Sequence, residues 1–554
     1  MIKHEIAALV REAIASAQRS GSLAEVPMPD VVIERPQRPE HGDYATSVPL
    51  RLARAARLAP LAIAEAVVQA MPPHPAIESV EVAPPGFVNV RLAHEWLTLQ
   101  VENILAAGDT YGNSEPAIRR RVQIEFVSAN PTGPLHVGNG RWATIGSTLA
   151  NVLEAGGHYV EQEYYINDAG SQVDTFASTL LARYRQLFGK DQPIPENGYP
   201  GEYVLEVAAQ LRDTYGDRFL DAPIEDPPDE VRRFAVERMV ARIRDDLAAM
   251  GVSYHVWFNE RSLYEGEPSA YQRAMARLRE QGFVAEREGA VWFTSSRLGE
   301  EKDNVLIRSD GQPTYFASDV AYHYDKFITR RFDDVIDIWG ADHQGHVSRL
   351  KAAVGALGID PARLHIILGQ LVTLKRGPEV VRISKRSGDI ITLREVIDEV
   401  GADACRFFFL SRSADAQMDF DLELAKKQSQ DNPVYYVQYA HARIAGVIAH
   451  ALERGVDARA GDVTLLTHPA ELELIRKMLR LPELLETIAG NLEPHHLPHY
   501  AQELATAFHA FYTECRVVSD DAALSAARLK LVQAARIALA RTLHLMGVSA
   551  PERM

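Results

Sequence analysis

Apolar positions recur at helical spacing from the outset: MIKHEIAALVREAIASA sets them three and four apart and breaks them with Glu5, Arg11 and Glu12. That period predicts an amphipathic helix, and the charges interrupt the continuous apolar core that a secretory leader needs. Residues 44–58 repeat the helical period after a turn at His41 and Gly42, with Asp43 as cap and Pro49 as a point of kinking. The period changes after Pro84, Pro85 and Gly86. Alternation along Phe87–Leu92 puts Val88, Val90 and Leu92 on one face and Phe87, Asn89 and Arg91 on the other, which predicts a strand. From about residue 118 strands alternate with helices, the pattern of a parallel sheet. Residues 121–127 are rich in β-formers, a loop with Pro and Gly breaks them, a long helix begins near Arg141, and a second strand covers 158–166. Charged helices and the loop DAPIEDPPDE, about 172–290, read as an insertion between two halves of the sheet, which resumes at 290–294, 335–339 and 365–368. Beyond about 415 the pattern is almost wholly helical, with about five helices. The expected fold is α/β: a doubly wound parallel (Rossmann-type) sheet in 113–414, an N-terminal α+β domain in 1–112, and an α-helical bundle in 415–554.

Composition narrows the class. The 554 residues are 46% hydrophobic, enough to bury a core in each of about three or four domains. The two cysteines, Cys405 and Cys515, stand far apart, so neither a disulfide framework nor a thiolate zinc site can be built, and a reducing, cytoplasmic setting fits. No segment is apolar for long enough to span a bilayer, so no membrane partner is expected. A net charge of −16, from 59 Lys plus Arg against 75 Asp plus Glu, opposes a grip on nucleic acid by bulk charge.

Residues able to do chemistry gather at predicted strand ends. In NPTGPLHVGNGR, His136 arrives at a helix start beside Gly138, where a ring or phosphate can approach the backbone and free N–H groups attract an anion. Read alone, this is equally a plain strand-to-helix connection. VVRISKRSGD offers Lys385 and Arg386 beside Gly388, either a strap over phosphates or a basic surface loop. In SDGQPTYFASDVAYHYDKF, Tyr315 and Asp319 stand four apart on one helix face, so a ring and a carboxylate can close on one ligand; an Asp paired with a nearby Lys has the same spacing. Asn432 and Pro433 start a helix whose Tyr435 and Tyr439 form an i, i+4 pair, usually a core spacing. The Phe87, Asn89 and Arg91 face is either an ordinary half-exposed strand or a surface for an unpaired base and its phosphate.

EFVSANPTGPLHVGNGR resembles the first signature of the class I aminoacyl-tRNA synthetases, His-x-Gly-His, in the wording of the arginyl-tRNA synthetases. His136, Val137 and Gly138 match it; Asn139 departs, keeping a hydrogen-bond donor without positive charge. The second signature of the class is Lys-Met-Ser-Lys-Ser, and Arg382, Ile383, Ser384 and Lys385 stand in its first places, with Arg382 for the first Lys. The resemblance covers nearly the whole chain. It implies catalysis by His136, Asn139, Arg382, Ser384 and Lys385 through positioning and charge stabilisation. It further implies that Tyr315 and Asp319 hold a substrate guanidinium, that Glu125 and Asn130 hold its α-amino group, and that Asp342 belongs to the same pocket. ATP is implied at Ser128, His136, Gly138, Asn139, Gly340, His343, Ile383 and Lys385, and YYINDAG, residues 164–170, is implied to line the pocket. For tRNA it implies Asn89 of the first domain and Tyr435, Gln438, Tyr439 and Arg443 of the bundle. His343 and His346 are three apart, as metal ligands can be, but strand ends of a nucleotide-binding sheet are where ligands sit in any case. Magnesium is expected with ATP; a structural zinc is not.

The implied activity is that of an arginine–tRNA ligase, with tRNA(Arg), arginine and ATP as partners, acting as a monomer in the cytoplasm and needing bound tRNA for activation. Asn139 and Arg382 leave open a relative that binds tRNA without charging it. A class I relative for another amino acid is a third reading, against which Tyr315 and Asp319 argue. Charge then looks different: from Asp421 onward there are 14 Lys plus Arg and 16 Asp plus Glu, a balance of −2, so the acidic excess lies outside the bundle. Local patches would hold one folded RNA while the acidic remainder repels others.

Overall fold

Alternation fixes a small N-terminal sheet. In the computed structural model, which describes residues 1–381 and 391–554, β1 (Tyr44–Thr46), β2 (Ile77–Ala83) and β3 (Phe87–Leu92) pair antiparallel with β3 in the middle. Val88, Val90 and Leu92 are buried and Phe87, Asn89 and Arg91 half-buried, as the alternation requires. The helix expected over 44–58 is shorter than the apolar period suggested. Tyr44, Ala45 and Thr46 lie opposite Val90, Asn89 and Val88, and the helix runs Val48–Ala56. Pro49 falls in its first turn, where no N–H is needed, so it starts the helix instead of kinking it. Asp43 is not its cap: one carboxylate oxygen accepts from the Leu92 amide at 2.8 Å and the other from Arg476 Nε at 2.6 Å.

The catalytic-sheet pattern gives β4 (Arg121–Glu125), β5 (Tyr159–Ile166) and β6 (Val256–Asn259). Between β5 and β6, helices Ser171–Leu187, Glu202–Tyr215 and Asp229–Ala249 pack around their own apolar cluster. The stretch read as an insertion thus contains a strand of the central sheet. Next come β7 (Val284–Arg287), β8 (Ala290–Phe293) and β9 (Asn304–Ile307), a separate antiparallel sheet, so 290–294 is not a core strand. The cause is local: Glu288 and Gly289, at φ 53° and 75°, make the two-residue turn that suits a hairpin twist.

The chain then enters β10 (Asp334–Gly340) and β11 (Leu364–Gly369), both parallel to the rest, giving the order β11-β10-β4-β5-β6. After β4 the chain winds one way, and with β10 it winds the other, so the sheet is doubly wound and its switch point lies between β4 and β10. A further small sheet joins β12 (Val372–Arg376), β13 (Glu379–Val380) and β14 (Met418–Asp421). The C-terminal part is helical, with Pro433–Glu453, Pro469–Met478, Arg480–Asn491, His496–Glu514 and Ala522–Leu545 as its long helices. Among the described residues no helix is long and apolar enough to cross a membrane.

Candidate active site

The loop after β4 delivers His136 to a helix that starts four residues before Arg141. Val137–Ala155 begins so early because His136 and Asn139 cap it reciprocally: His136 Nδ1 accepts from the Gly138 amide at 3.1 Å, and Asn139 Oδ1 accepts from the His136 amide at 3.0 Å. An accepting Nδ1 carries no proton, so the neutral ring keeps its proton on Nε2. Glycine at 138 is a packing requirement, since a Cβ there would stand 2.9 Å from His136 Cε1. Gly140 likewise leaves room for Leu393 and Phe409. Thr392 bridges to His136, and the Leu393 amide donates to Leu135 O at 2.8 Å, so the chain that follows the RISK stretch is tied to the His136 loop. Arg382, Ile383, Ser384 and Lys385 themselves lie outside the described residues.

Acids gather around the turn that follows β4, Glu125 and Glu260 both acting on Asp319. Val127 and Ser128 take φ of 70° and 38°, a conformation a β-branched residue rarely adopts, and this turn folds Ser128 back onto Glu125 (Oγ to Oε1, 3.0 Å). The Tyr165 amide donates to the same Ser128 Oγ at 3.1 Å. Asp319 stands one helical turn after Tyr315 and forms no ion pair with any described residue. Burial pushes its carboxyl up to about 7; His323 and Arg349 oppose this, while the neighbouring carboxylates of Glu125 and Glu260 add to it. Glu260 is also raised, by burial, and bonds to Ser318 and Tyr165. Asp319 and Glu260, which have no ion-pair partner among the described residues, leave a negative field that is a seat for a cation. Tyr315 is 55% exposed at the rim, its hydroxyl close to Gly170. Asn130 lies at the surface and donates to Gln172 at 2.7 Å.

Beneath the pocket runs a set of buried charges that the sequence reading did not single out. Lys326 is 0% exposed, donates to Glu125 Oε2 at 2.7 Å and to Asp337 Oδ1 at 2.8 Å, and Asp337 also meets His323 Nε2 at 2.9 Å. Glu163 is enclosed by Arg330, Tyr322 and Gln123. The available signal was a carboxylate inside an apolar central strand, Asp337 in VIDIW. Asp168 of the 164–170 segment is nearly buried and accepts from the Arg261 amide at 3.1 Å.

At the ends of β10 and β11, Gly340 and Gly369 lie opposite each other and make room for Trp142; a Cβ on Gly369 would stand 2.1 Å from its Nε1. Asp342 and His343 are exposed just beyond, 3.7 Å apart. They do not form a three-ligand metal group with His346. Among the described residues one such group occurs, Glu493, His495 and His496, at the turn between Arg480–Asn491 and His496–Glu514.

On the bundle, Tyr435 and Tyr439 are both half-exposed, with rings 6.2 Å apart and 7° from parallel. Arg443 continues the row, its guanidinium 4.8 Å over the Tyr439 ring and 5.3 Å over Tyr512, on the edge of a groove of about 950 Å³. Neither ring is core, although an i, i+4 aromatic pair usually has that spacing. Gln438 faces the other way: it is 9% exposed, and its amide donates to Asp403 at 2.8 Å and to the Ser549 carbonyl at 3.1 Å. The structure therefore gives it an internal tie between bundle, catalytic region and C-terminal segment, and leaves Tyr435, Tyr439 and Arg443 at the surface. Asn89 sits half-buried on the open face of β3.

Residues 100–199 and 223–420 match the family described as tRNA synthetases class I (R), catalytic domain. Together with the doubly wound sheet and the His136 helix start at its switch point, this defines a class I aminoacyl-tRNA synthetase. Residues 4–92 match the arginyl tRNA synthetase N terminal domain, and 437–554 the DALR anticodon binding domain. The chain is 56% identical over 553 residues to the arginine–tRNA ligase of Dehalococcoides mccartyi, covering 100% of this chain and 99% of the relative. It is 49% identical over 560 residues to that of Heliobacterium modesticaldum, with the same coverage. The chain belongs to the arginyl-tRNA synthetase family. In fold it also matches the Thermus thermophilus arginyl-tRNA synthetase, with a TM-score of 0.79, 23% identity and 100% coverage of both chains.

Proposed function

We propose that the chain is an arginine–tRNA ligase: the arginine carboxylate attacks the α-phosphate of ATP, giving arginyl-adenylate and pyrophosphate, and a hydroxyl of the 3′-terminal ribose of tRNA(Arg) then attacks the acyl carbon, releasing AMP. The observation that carries this reading is Asp319, a carboxylate burial holds near pH 7 among further acids with no ion-pair partner among the described residues. Asp319 and Tyr315 receive the guanidinium, Glu125 and Asn130 the α-amino group, and Asp342 closes the same pocket. His136 donates through Nε2 to an α-phosphate oxygen, and Asn139 holds that ring by capping its helix. ATP, carried as its magnesium complex, rests against Ser128, Gly138, Gly340 and His343, with Ile383 and Lys385 beside it and Arg382, Ser384 and Lys385 meeting the departing pyrophosphate. Residues 1–112, through Asn89, and 415–554, through Tyr435, Tyr439 and Arg443, hold the tRNA. Cation–aromatic stacking of this kind accepts an unpaired base. Nothing favours the reading in which tRNA is bound but not charged.

The test is ATP–pyrophosphate exchange, measured with and without tRNA(Arg): exchange that depends on arginine supports the reading, and none under either condition rejects it. A pH dependence accompanies it. Arginine needs Asp319 ionised, and protonation competes with the guanidinium for the same carboxylate. Affinity is therefore full above about pH 7 and falls by about tenfold per unit below it, whereas the KM for ATP does not share that trend. A pH profile of the arginine KM that stays flat down to about pH 5.5 would contradict the assignment.

A further inference from the structure

Glu125 and Asp319, assigned above to opposite ends of the substrate, are joined beneath the pocket by one buried chain. Glu125 Oε2 accepts from Lys326 Nζ, which also donates to Asp337 Oδ1; Asp337 Oδ2 meets His323 Nε2, and His323 Nδ1 meets the main-chain oxygen of Asp319 at 2.8 Å. Lys326 reaches this position because helix Tyr315–Tyr324 passes into a π-helical turn, Asp325–Thr329. Its ammonium also lies 4.1 Å from the centre of the Tyr322 ring. We propose that Lys326 is a positioning residue for arginine recognition: it aims the Glu125 carboxylate at the substrate α-ammonium, while Asp337 and His323 hold that carboxylate in register with Asp319.

The energetics explain why a cation is needed there. Burial, with Asp337 and Glu163 nearby, raises the Glu125 carboxyl, and Lys326 opposes that rise. Loss of Lys326 removes that opposition, and a carboxyl pushed further toward its neutral form makes a weaker contact with an ammonium. A purely structural ion pair predicts something else. Its loss lowers stability, because a charge is left unpaired, and changes affinity for both ends of the substrate alike.

The inference rests on the assignment of Glu125 to the α-amino group, and 5-guanidinopentanoate, which is arginine without that group, separates the two. Both ligands are titrated calorimetrically into the full chain with tRNA(Arg) bound. Lys326→Met weakens arginine by about tenfold or more and leaves the analogue within about twofold, and Lys326→Arg restores most of the loss. Equal weakening of both ligands, or of neither, overturns the proposal. Glu125→Gln/Lys326→Met removes both charges and so avoids an unpaired Glu125 carboxylate, while Asp337 keeps its contact with His323. Against Glu125→Gln alone it changes the preference for arginine over the analogue by no more than about twofold; a further loss of about fivefold would mean that Lys326 acts by another route and overturns the proposal. If Glu125→Gln itself leaves the preference intact, the assignment of Glu125 fails, and the role of Lys326 fails with it.

Discussion

Asp319→Asn raises the KM for arginine by about 100-fold or more and leaves that for ATP within about twofold. The substitution keeps the shape and removes the charge. What makes the effect large is the setting: Asp319 has no ion pair among the described residues, and Glu125 and Glu260 raise its carboxyl together with burial, so a bound guanidinium supplies the close compensation that His323 and Arg349 do not. An amide can accept one hydrogen bond from guanidinium but cannot balance its charge, and a desolvated charge left unpaired costs several kcal/mol, on the order of 2–5. Steady-state kinetics with each substrate varied in turn reads the split. Equal loss for arginine and ATP would place Asp319 outside the guanidinium site.

His136→Ala lowers kcat by about 100- to 1,000-fold with little change in either substrate KM, because its Nε2–H acts on charge that develops only as the α-phosphate is attacked. Gly138→Ala is the matched control for positioning. Its new Cβ meets His136 Cε1 at 2.9 Å and Nδ1 at 3.0 Å, so the ring must leave the helix cap that fixes it. A kcat loss of at least about tenfold, at unchanged arginine KM, is expected for a ring held about 1 Å out of place. Single-turnover formation of arginyl-adenylate measures both variants at the chemical step. A His136→Ala enzyme with near-normal kcat would remove His136 from the reaction.

The strands of the central sheet were legible because alternation and β-rich runs are local, and β4, β5, β10 and β11 fall where the pattern put them. β6 was not, because Val256–Asn259 is four residues long and looks no different from a loop until its pairing with β5 is known. β8 was assigned to the wrong sheet for the converse reason: its run was clear, but its partner was set by the Glu288–Gly289 turn. In the site, His136 and Gly138 were singled out by a motif that resembles the class I signature, and Tyr315 and Asp319, whose spacing alone left two readings open, by the family resemblance. Lys326 and Asp337 carry no motif. Their meaning comes from β4 and β10 lying side by side across the switch point, which brings Glu125 opposite Asp337 in register. Gln438 shows what spacing does not reveal, a side chain on a surface helix that turns inward to Asp403 and Ser549.

The central claim, that this pocket selects a guanidinium for attachment to tRNA, is tested most directly by transfer of labelled amino acids to purified tRNA(Arg). Arginine, citrulline and lysine are each supplied at one concentration well below the arginine KM, so that the rates report kcat/KM. Citrulline presents a neutral urea of nearly the same shape, and lysine a shorter point charge. Arginine esterifies the tRNA, and citrulline and lysine do so more slowly by about 1,000-fold or more. Transfer of citrulline at a rate within about tenfold of arginine, or no transfer of arginine at all, would contradict the claim.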